Sequence, residues 1–113
     1  MIYLGNAFSL NMIPRALLQA VRFHPIGEPD TWPDEWVIGA HSIVGHADTA
    51  RLLGVECNRE SVLLGPDDDL IVAQYSGPRL PEGATELPEG ARIEWIRVYF
   101  EETDKATSGS RLD

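Results

Sequence analysis

Two runs of strand-forming residues in the second half of the chain most constrain its fold. DLIVAQY, at residues 69–75, is largely apolar. In RIEWIRVYF, at residues 92–100, the side chains at 93, 95, 97 and 99 would face one side of a strand and those at 94, 96, 98 and 100 the other. Runs rich in β-branched and aromatic residues are typical of strands. A third apolar run, SVLLG at 61–65, precedes the first, and the segment Pro66-Asp67-Asp68-Asp69 marks the break between them. We therefore predict three strands in this region.

The beginning of the chain predicts a fourth strand and one ambiguous segment. Apolar residues 2–4 form a short strand that stops at the Gly5-Asn6 turn signal. The apolar positions of residues 15–23 fit neither the helical nor the strand period, so this segment is a strand or a short helix that ends at His24-Pro25.

Two segments in the middle of the chain favour helices. Residues 34–45 begin with two acids, which suits a first helical turn, although several β-branched residues follow. HADTARLLG, at 46–54, predicts a helix of about two turns that ends at Gly54. The fold class is therefore α/β or α+β, a single domain with a mixed sheet flanked by helices.

The length and the cysteine content predict one domain in a reducing compartment. The chain has 113 residues and a single cysteine, Cys57, which cannot form an internal disulfide. No basic segment precedes the first apolar residues, and no run of about 18 apolar residues occurs. We expect a soluble, cytoplasmic protein without membrane contact, with its domain at 1–100 and a disordered tail at 101–113.

The charge of the chain argues against binding to long nucleic acid. The sequence has 18 acidic and 9 basic residues, for a net charge of −9. Binding to DNA or RNA through counterion release requires clustered cations. A small anionic ligand is still allowed, because a few well-placed donors set the local field of a pocket.

The motifs of several common enzyme classes are absent from the sequence. It contains neither the Gly-x-Ser-x-Gly of serine hydrolases nor the glycine-rich phosphate loops of nucleotide-binding enzymes. His41, His46 and Asp48 could in principle hold a metal, but the spacing of the two histidines puts them on different faces of a helix. We therefore expect no metal site.

His46 is the residue best placed for proton chemistry. It follows Gly45 and opens the predicted helix, whose first N–H groups attract phosphate. Imidazole exchanges protons near neutral pH, which suits a general acid or base. The residues alone favour a plainer interpretation, a histidine in a strand-to-helix turn, because the carboxylate of Asp48 would compete with a phosphate for the same N–H groups.

Two further segments offer binding groups. The loop at residues 76–83 follows Gln74 and holds Arg79, whose planar guanidinium suits a phosphate, and Glu82, which could orient Arg79 or transfer a proton. A surface ion pair of little energetic value is the alternative.

The other segment, GNAFSLN at residues 5–11, places Asn6, Ser9 and Asn11 in an otherwise apolar stretch. These side chains can contact a ligand or make ordinary turns.

Three segments of the chain form a pattern when they are read together. They are YLGNAFSLNM at 3–12, SIVGHADTA at 42–50, and QYSGPRLPEGA at 74–84, which is followed by the strand IEWIRVYF at 93–100. In this combination and order the chain resembles the viral and prokaryotic ring nuclease family that acts as a type III anti-CRISPR. The match extends over most of residues 1–100, and its Asn-Ala-Phe-Ser, Gly-His and Arg-Leu-x-Glu-Gly motifs are specific only together.

The resemblance implies a metal-independent phosphodiesterase that needs no cofactor. It implies a homodimer that binds cyclic tetra-adenylate (cA4), the second messenger of type III CRISPR complexes, across its two-fold axis. It further implies cleavage to linear di-adenylate ending in a 2′,3′-cyclic phosphate, which switches off the antiviral response. The setting would be a prokaryotic cell, and the gene would belong to the cell, a virus or a prophage.

Residue by residue, the resemblance assigns His46 as the catalytic histidine, Arg79 as the phosphate-contacting arginine and Glu82 as the acidic residue after it. Asp48 stands where the family has a serine, so that hydroxyl contact is lost or passes to Thr49. Pro78 lengthens the loop by one residue. The candidate substrate contacts are six polar residues: Asn6, Ser9, Asn11, Asp48, Thr49 and Gln74.

In the implied reaction, the ribose 2′-hydroxyl of the substrate attacks the adjacent phosphodiester. Arg79 neutralises the charge that builds on the phosphate, and His46 as imidazolium protonates the departing 5′-oxygen. Two other function classes stay open. One is a dimer that only binds and sequesters the ring, and the other is an acidic interaction protein with no affinity for cyclic adenylates.

Overall fold

The backbone is organised around one mixed β-sheet. The computed structural model describes residues 1–101 and their side chains, except the side chains at 37 and 38. Over these residues the strands are β1 (Ile2–Gly5), β2 (Val21–Ile26), β3 (His41–Ser42), β4 (Asp69–Ser76) and β5 (Arg92–Phe100). Their order in the sheet is β2-β5-β4-β1-β3. The tail predicted beyond residue 101 lies outside the described residues.

Helices are few and short. The two α-helices are α1 (Asp34–Gly39) and α2 (Ala47–Leu53), and single turns of 3₁₀ helix lie at Leu10–Met12, Arg15–Leu17 and Pro29–Thr31. The left-handed Gly54 (φ 72°) ends α2, as the sequence predicts, and its N–H closes the last turn. The predicted fold class is therefore confirmed as a single α+β domain with a mixed sheet.

The core lies on both faces of the sheet, because successive strand residues point to opposite sides. On one face, α2 and residues near α1 cover the strands, with Leu4, Val44, Ala50, Ile71, Ala73 and Trp95 buried and Trp32 and Trp36 packed against them. On the other face, loops and 3₁₀ turns bury Ile13, Ile43, Leu64, Leu70, Val72 and Val98. The helices therefore flank one face of the sheet, and irregular segments cover the other.

The prediction of a strand at residues 61–65 is wrong. These residues adopt no regular structure. Leu64 is nevertheless fully buried, and its N–H donates to the carbonyl oxygen of Met12 at 2.8 Å. The apolar run reflects packing onto the face of the sheet, which a periodicity argument cannot distinguish from pairing within it.

Two other segments differ from their predictions in part. The segment from residue 15 contains both candidate structures, a 3₁₀ turn and then β2, and this strand continues through His24 and Pro25 instead of ending there. Proline is tolerated because β2 lies at the edge of the sheet. The helix predicted for residues 34–45 ends at Gly39, and β3 follows beside β1. Its buried β-branched residues Ile43 and Val44 belong to the core and not to the helix.

The topology brings three strand ends to one edge of the sheet. β1 pairs in parallel with both β3 and β4, so these three strands end on the same side. Asn6 follows β1, the turn at residues 43–46 follows β3, and the loop from Gly77 follows β4. Ligands of open sheets with parallel strands commonly bind at such carboxyl ends.

Candidate functional site

A cleft of about 660 Å³ opens at this edge. It is lined by residues from three parts of the chain, namely Asn6, His46, Asp48, Thr49, Tyr75, Gly77, Arg79, Leu80 and Glu82. Six of these residues are candidate site residues from the sequence: Asn6, His46, Asp48, Thr49, Arg79 and Glu82. The fold therefore brings together most of the predicted site, including all three proposed catalytic residues.

His46 caps α2 with its own side chain. Its backbone is extended (φ −104°, ψ 119°), and its Nδ1 accepts the N–H of Thr49 at 3.3 Å. The hydroxyl Oγ1 of Thr49 lies 3.1 Å from the same nitrogen. A backbone N–H can only donate, so this contact assigns the ring proton of a neutral imidazole to Nε2. His46 is exposed, and Nε2 is the ring nitrogen available to a ligand.

The start of α2 has fewer free N–H groups than the sequence suggests. The helix has only seven residues, and the Thr49 N–H is already bonded to His46. Asp48 does not compete for these N–H groups either. Its Oδ1 accepts from Arg51 Nη1 at 3.0 Å and from the N–H of Gly83 at 3.4 Å. Arg79 is therefore the cationic group of the cleft.

Arg79 and Glu82 lie in the loop at residues 77–91, which joins β4 to β5. At its start, the hydroxyl of Tyr75 donates to the carbonyl oxygen of Pro78. Both Arg79 and Glu82 are exposed. Among residues 1–101 no ion pair joins them, so the predicted orienting role of Glu82 is not seen, and both groups face the cleft without engaging each other.

Gly77 lets the two ends of this loop pass each other. Its φ of +133° disfavours any L side chain, and a Cβ there would lie 2.6 Å from the Cα of Ala91. We expect Gly77→Ala to lower the free energy of unfolding by about 1–3 kcal/mol, through strain and the backbone clash, and to displace Arg79. Chemical denaturation measures this loss. Gly39→Ala, where nothing lies within 4 Å of the added methyl, is the control. Equal unfolding free energies of the two variants would contradict the prediction.

Ser9, Asn11 and Gln74 lie outside this cleft. Ser9 Oγ accepts the N–H of Asn11 at 3.2 Å and caps a 3₁₀ turn. Ser9 and Asn11 line a second cleft of about 360 Å³, and Gln74 lines a third of about 410 Å³. Asn6 lines all three clefts, so the polar residues predicted as substrate contacts surround a single point on the surface.

His41 and His46 do not form a metal site together. His41 lies on the edge strand β3, where its Nε2 is 2.8 Å from Glu60 Oε2. Within the described part of the chain, no group of three or more histidine, cysteine or acidic side chains is arranged to hold a metal ion. In the same residues, no helix is both long and apolar enough to cross a membrane.

The fold is shared with a viral protein. The structure is similar to that of B116 of Sulfolobus turreted icosahedral virus (STIV), with a TM-score of 0.68 and 22% sequence identity. The alignment covers 87% of this chain and 97% of that chain. No family model matches the sequence, and no curated protein matches it. At this identity the likeness to B116 shows the fold alone.

Sequence reasoning missed two parts of this surface. Tyr75 and Leu80 line the main cleft. Alternation along β4 is the signal that could have identified Tyr75. Successive strand residues point to opposite faces of the sheet, so Gln74 and Tyr75 face different clefts. Arg59 lines the second cleft and donates from Nη2 to the carbonyl oxygen of Gly45 at 3.0 Å. Nothing in the sequence around Arg59 indicates this position.

Proposed function

We propose that this chain is a metal-independent ring nuclease that cleaves cA4 into linear di-adenylate with a 2′,3′-cyclic phosphate. One observation carries the proposal. His46 lies more than thirty residues before Arg79 and Glu82 in the chain, yet all three line one cleft together with Asn6 and Thr49. They supply a proton donor, a cation and a proton acceptor, which general acid–base cleavage of a ribose phosphodiester can use without a metal.

The chemistry follows from these groups. The 2′-oxygen of the substrate bonds to the phosphorus, and the bond from phosphorus to the 5′-oxygen breaks. Arg79 binds the non-bridging oxygens as their charge grows. Glu82, an exposed carboxylate in the cleft, takes the proton of the 2′-hydroxyl. His46 gives the Nε2 proton of its imidazolium form to the 5′-oxygen.

Thr49 offers two groups to Nδ1 of His46, its backbone N–H and its hydroxyl. An imidazolium carries a proton on Nδ1, which then no longer accepts the Thr49 N–H. The Oγ1 of Thr49, 3.1 Å from Nδ1, can accept that proton's hydrogen bond instead. The same residue therefore serves both protonation states of the ring, through its N–H when the imidazole is neutral and through its hydroxyl when it is charged.

A homodimer is part of the proposal. Beside the cleft, Phe23 is 54% exposed and packs edge-on against Phe8, with ring centroids 5.2 Å apart. These rings line the apolar groove that also contains Asn6 and Gln74. We propose that a second copy packs on this apolar surface and that each subunit of the dimer supplies one His46 to the two-fold ring.

The deciding experiment incubates the purified chain with labelled cA4 in EDTA. We expect conversion to di-adenylate with a 2′,3′-cyclic phosphate at the rate seen without chelator. Recovery of bound but intact ring would favour a sequestering module. Loss of activity in EDTA would indicate a metal, and absence of binding would leave an interaction protein that does not recognise cyclic adenylates.

The sequestering module is the second candidate, and one contact favours it. When Nδ1 accepts the Thr49 N–H, the ring proton is on Nε2, which can donate a hydrogen bond to a phosphate without giving up that proton. Single-turnover product analysis separates the two functions. The viral origin of B116 supports a viral role for either, since removal of the messenger by cleavage or by sequestration protects a virus.

A further inference from the structure

We propose that Asp48 is a positioning residue that holds the loop of Arg79 and Glu82 against the start of α2. The inference rests on the proposed function and deepens it. Oδ1 of Asp48 accepts the N–H of Gly83, which immediately follows Glu82 and lies 35 residues from Asp48 in the chain. His46, which caps the same helix, is two residues before Asp48. The carboxylate therefore links the element carrying the histidine to the loop carrying the arginine.

The loop has few other connections to the rest of the site. Its backbone hydrogen bonds include two turns within the loop, from Ala84 to Pro81 and from Ala91 to Pro88. The contact of Tyr75 with Pro78 lies at its base. Within residues 1–101, the bond from Gly83 to Asp48 is the hydrogen bond that joins this loop to α2. Without it, no hydrogen bond among residues 1–101 would connect this loop to α2.

Arg51 forms an ion pair with the carboxylate of Asp48. Its Nη1 lies 3.0 Å from Oδ1 of Asp48, one helical turn further along α2. The side chain of Asp48 is 25% exposed, so solvent screens this pair only in part. The guanidinium offsets the negative charge at the rim of the cleft, while Oδ1 retains a lone pair for Gly83.

Two substitutions at Asp48 distinguish a role in holding the loop from a role in contacting the substrate. Asp48→Asn keeps an oxygen that can accept the Gly83 N–H but loses the charge, whereas Asp48→Ala loses both. Arg51→Gln is the matched control, because it removes the ion pair and leaves the contact with Gly83. All are compared with the wild-type chain in two measurements: single-turnover cleavage of cA4 at saturating protein, and hydrogen exchange of the Gly83 amide by NMR.

We expect Asp48→Ala to slow cleavage by about 10- to 100-fold, because a misplaced charged group loses the alignment of the reacting atoms. Exchange at Gly83 should accelerate in the same variant. Asp48→Asn should stay within about threefold of the wild-type rate, since the positioning bond survives. Arg51→Gln should weaken binding of the ring while its rate at saturation is nearly unchanged.

Two results would overturn the proposal. One is wild-type cleavage by Asp48→Ala, and the other is an equal loss in Asp48→Asn and Asp48→Ala, which would mean that the charge itself acts on the substrate. A wild-type chain that leaves the ring intact contradicts the proposed function instead. In that case the amide exchange decides alone, and equal protection of Gly83 in the wild type and in Asp48→Ala refutes the role of Asp48.

Discussion

Replacing His46 by glutamine is expected to lower the single-turnover rate of cA4 cleavage by about 10²- to 10⁴-fold while the ring still binds. The side-chain amide of glutamine can donate a hydrogen bond near the position of Nε2, but it cannot transfer a proton to the departing 5′-oxygen. The variant therefore separates binding from general-acid catalysis. The measurements are product formation under single-turnover conditions and the dissociation constant of the labelled ring.

The same substitution at His41 is the control. His41 lies on β3, and its ring contacts the carboxylate of Glu60. It lines none of the three clefts that share Asn6. We expect His41→Gln to cleave at the wild-type rate. Cleavage by His46→Gln at that rate would eliminate the general acid. If His41→Gln lost activity as well, a role shared by the two histidines would have to replace the proposed mechanism.

The parts of the fold that the sequence predicts well are those decided by local chemistry. Gly54 ends α2 because a left-handed residue closes the last turn, and glycine adopts that conformation without strain. β4 and β5 follow from their long strand-forming runs, which match the observed bounds closely. In each case, the residues that favour the element lie within it.

Predictions fail where distant residues decide the structure. Pro25 reads as the end of a segment, yet it lies within β2 because that strand is at the sheet edge and pairs with β5. The run at 61–65 reads as a strand, yet it packs on the sheet without pairing. Neither the position of a strand in the sheet nor the surface that an apolar run covers can be read from neighbouring residues.

The same limit applies within the candidate site. The sequence predicts His46 and Arg79 as parts of one site, and the structure places both in the main cleft. The sequence suggests Asp48 as a competitor for phosphate, whereas in the structure its Oδ1 accepts from Gly83, which is 35 residues away and which only the closed fold brings near. Gln74 is predicted as a substrate contact from the family motif alone. In the structure, strand alternation turns its side chain away from Tyr75 and the main cleft.

Replacing Arg79 by alanine is expected to reduce the rate of cA4 cleavage at saturation by about 10²- to 10³-fold. The cleft lies in a chain of net charge −9, so the guanidinium supplies positive charge where the phosphate gains negative charge. Arg79→Lys keeps that charge but not the planar pair of donors that matches two phosphate oxygens. We expect it to recover only part of the lost rate.

Comparison of rate with affinity tests whether Arg79 acts in the transition state. Loss of an interaction made only there lowers the single-turnover rate at saturation, whereas loss of uniform binding raises the dissociation constant and leaves that rate unchanged. Arg92→Ala is the control, because Arg92 is an exposed arginine on β5 whose nearest acidic partner, Glu94, is 3.9 Å away. If Arg79→Ala changed affinity alone, Arg79 would be a binding residue, and catalysis would have to rest on His46 and on the alignment of the substrate's own hydroxyl.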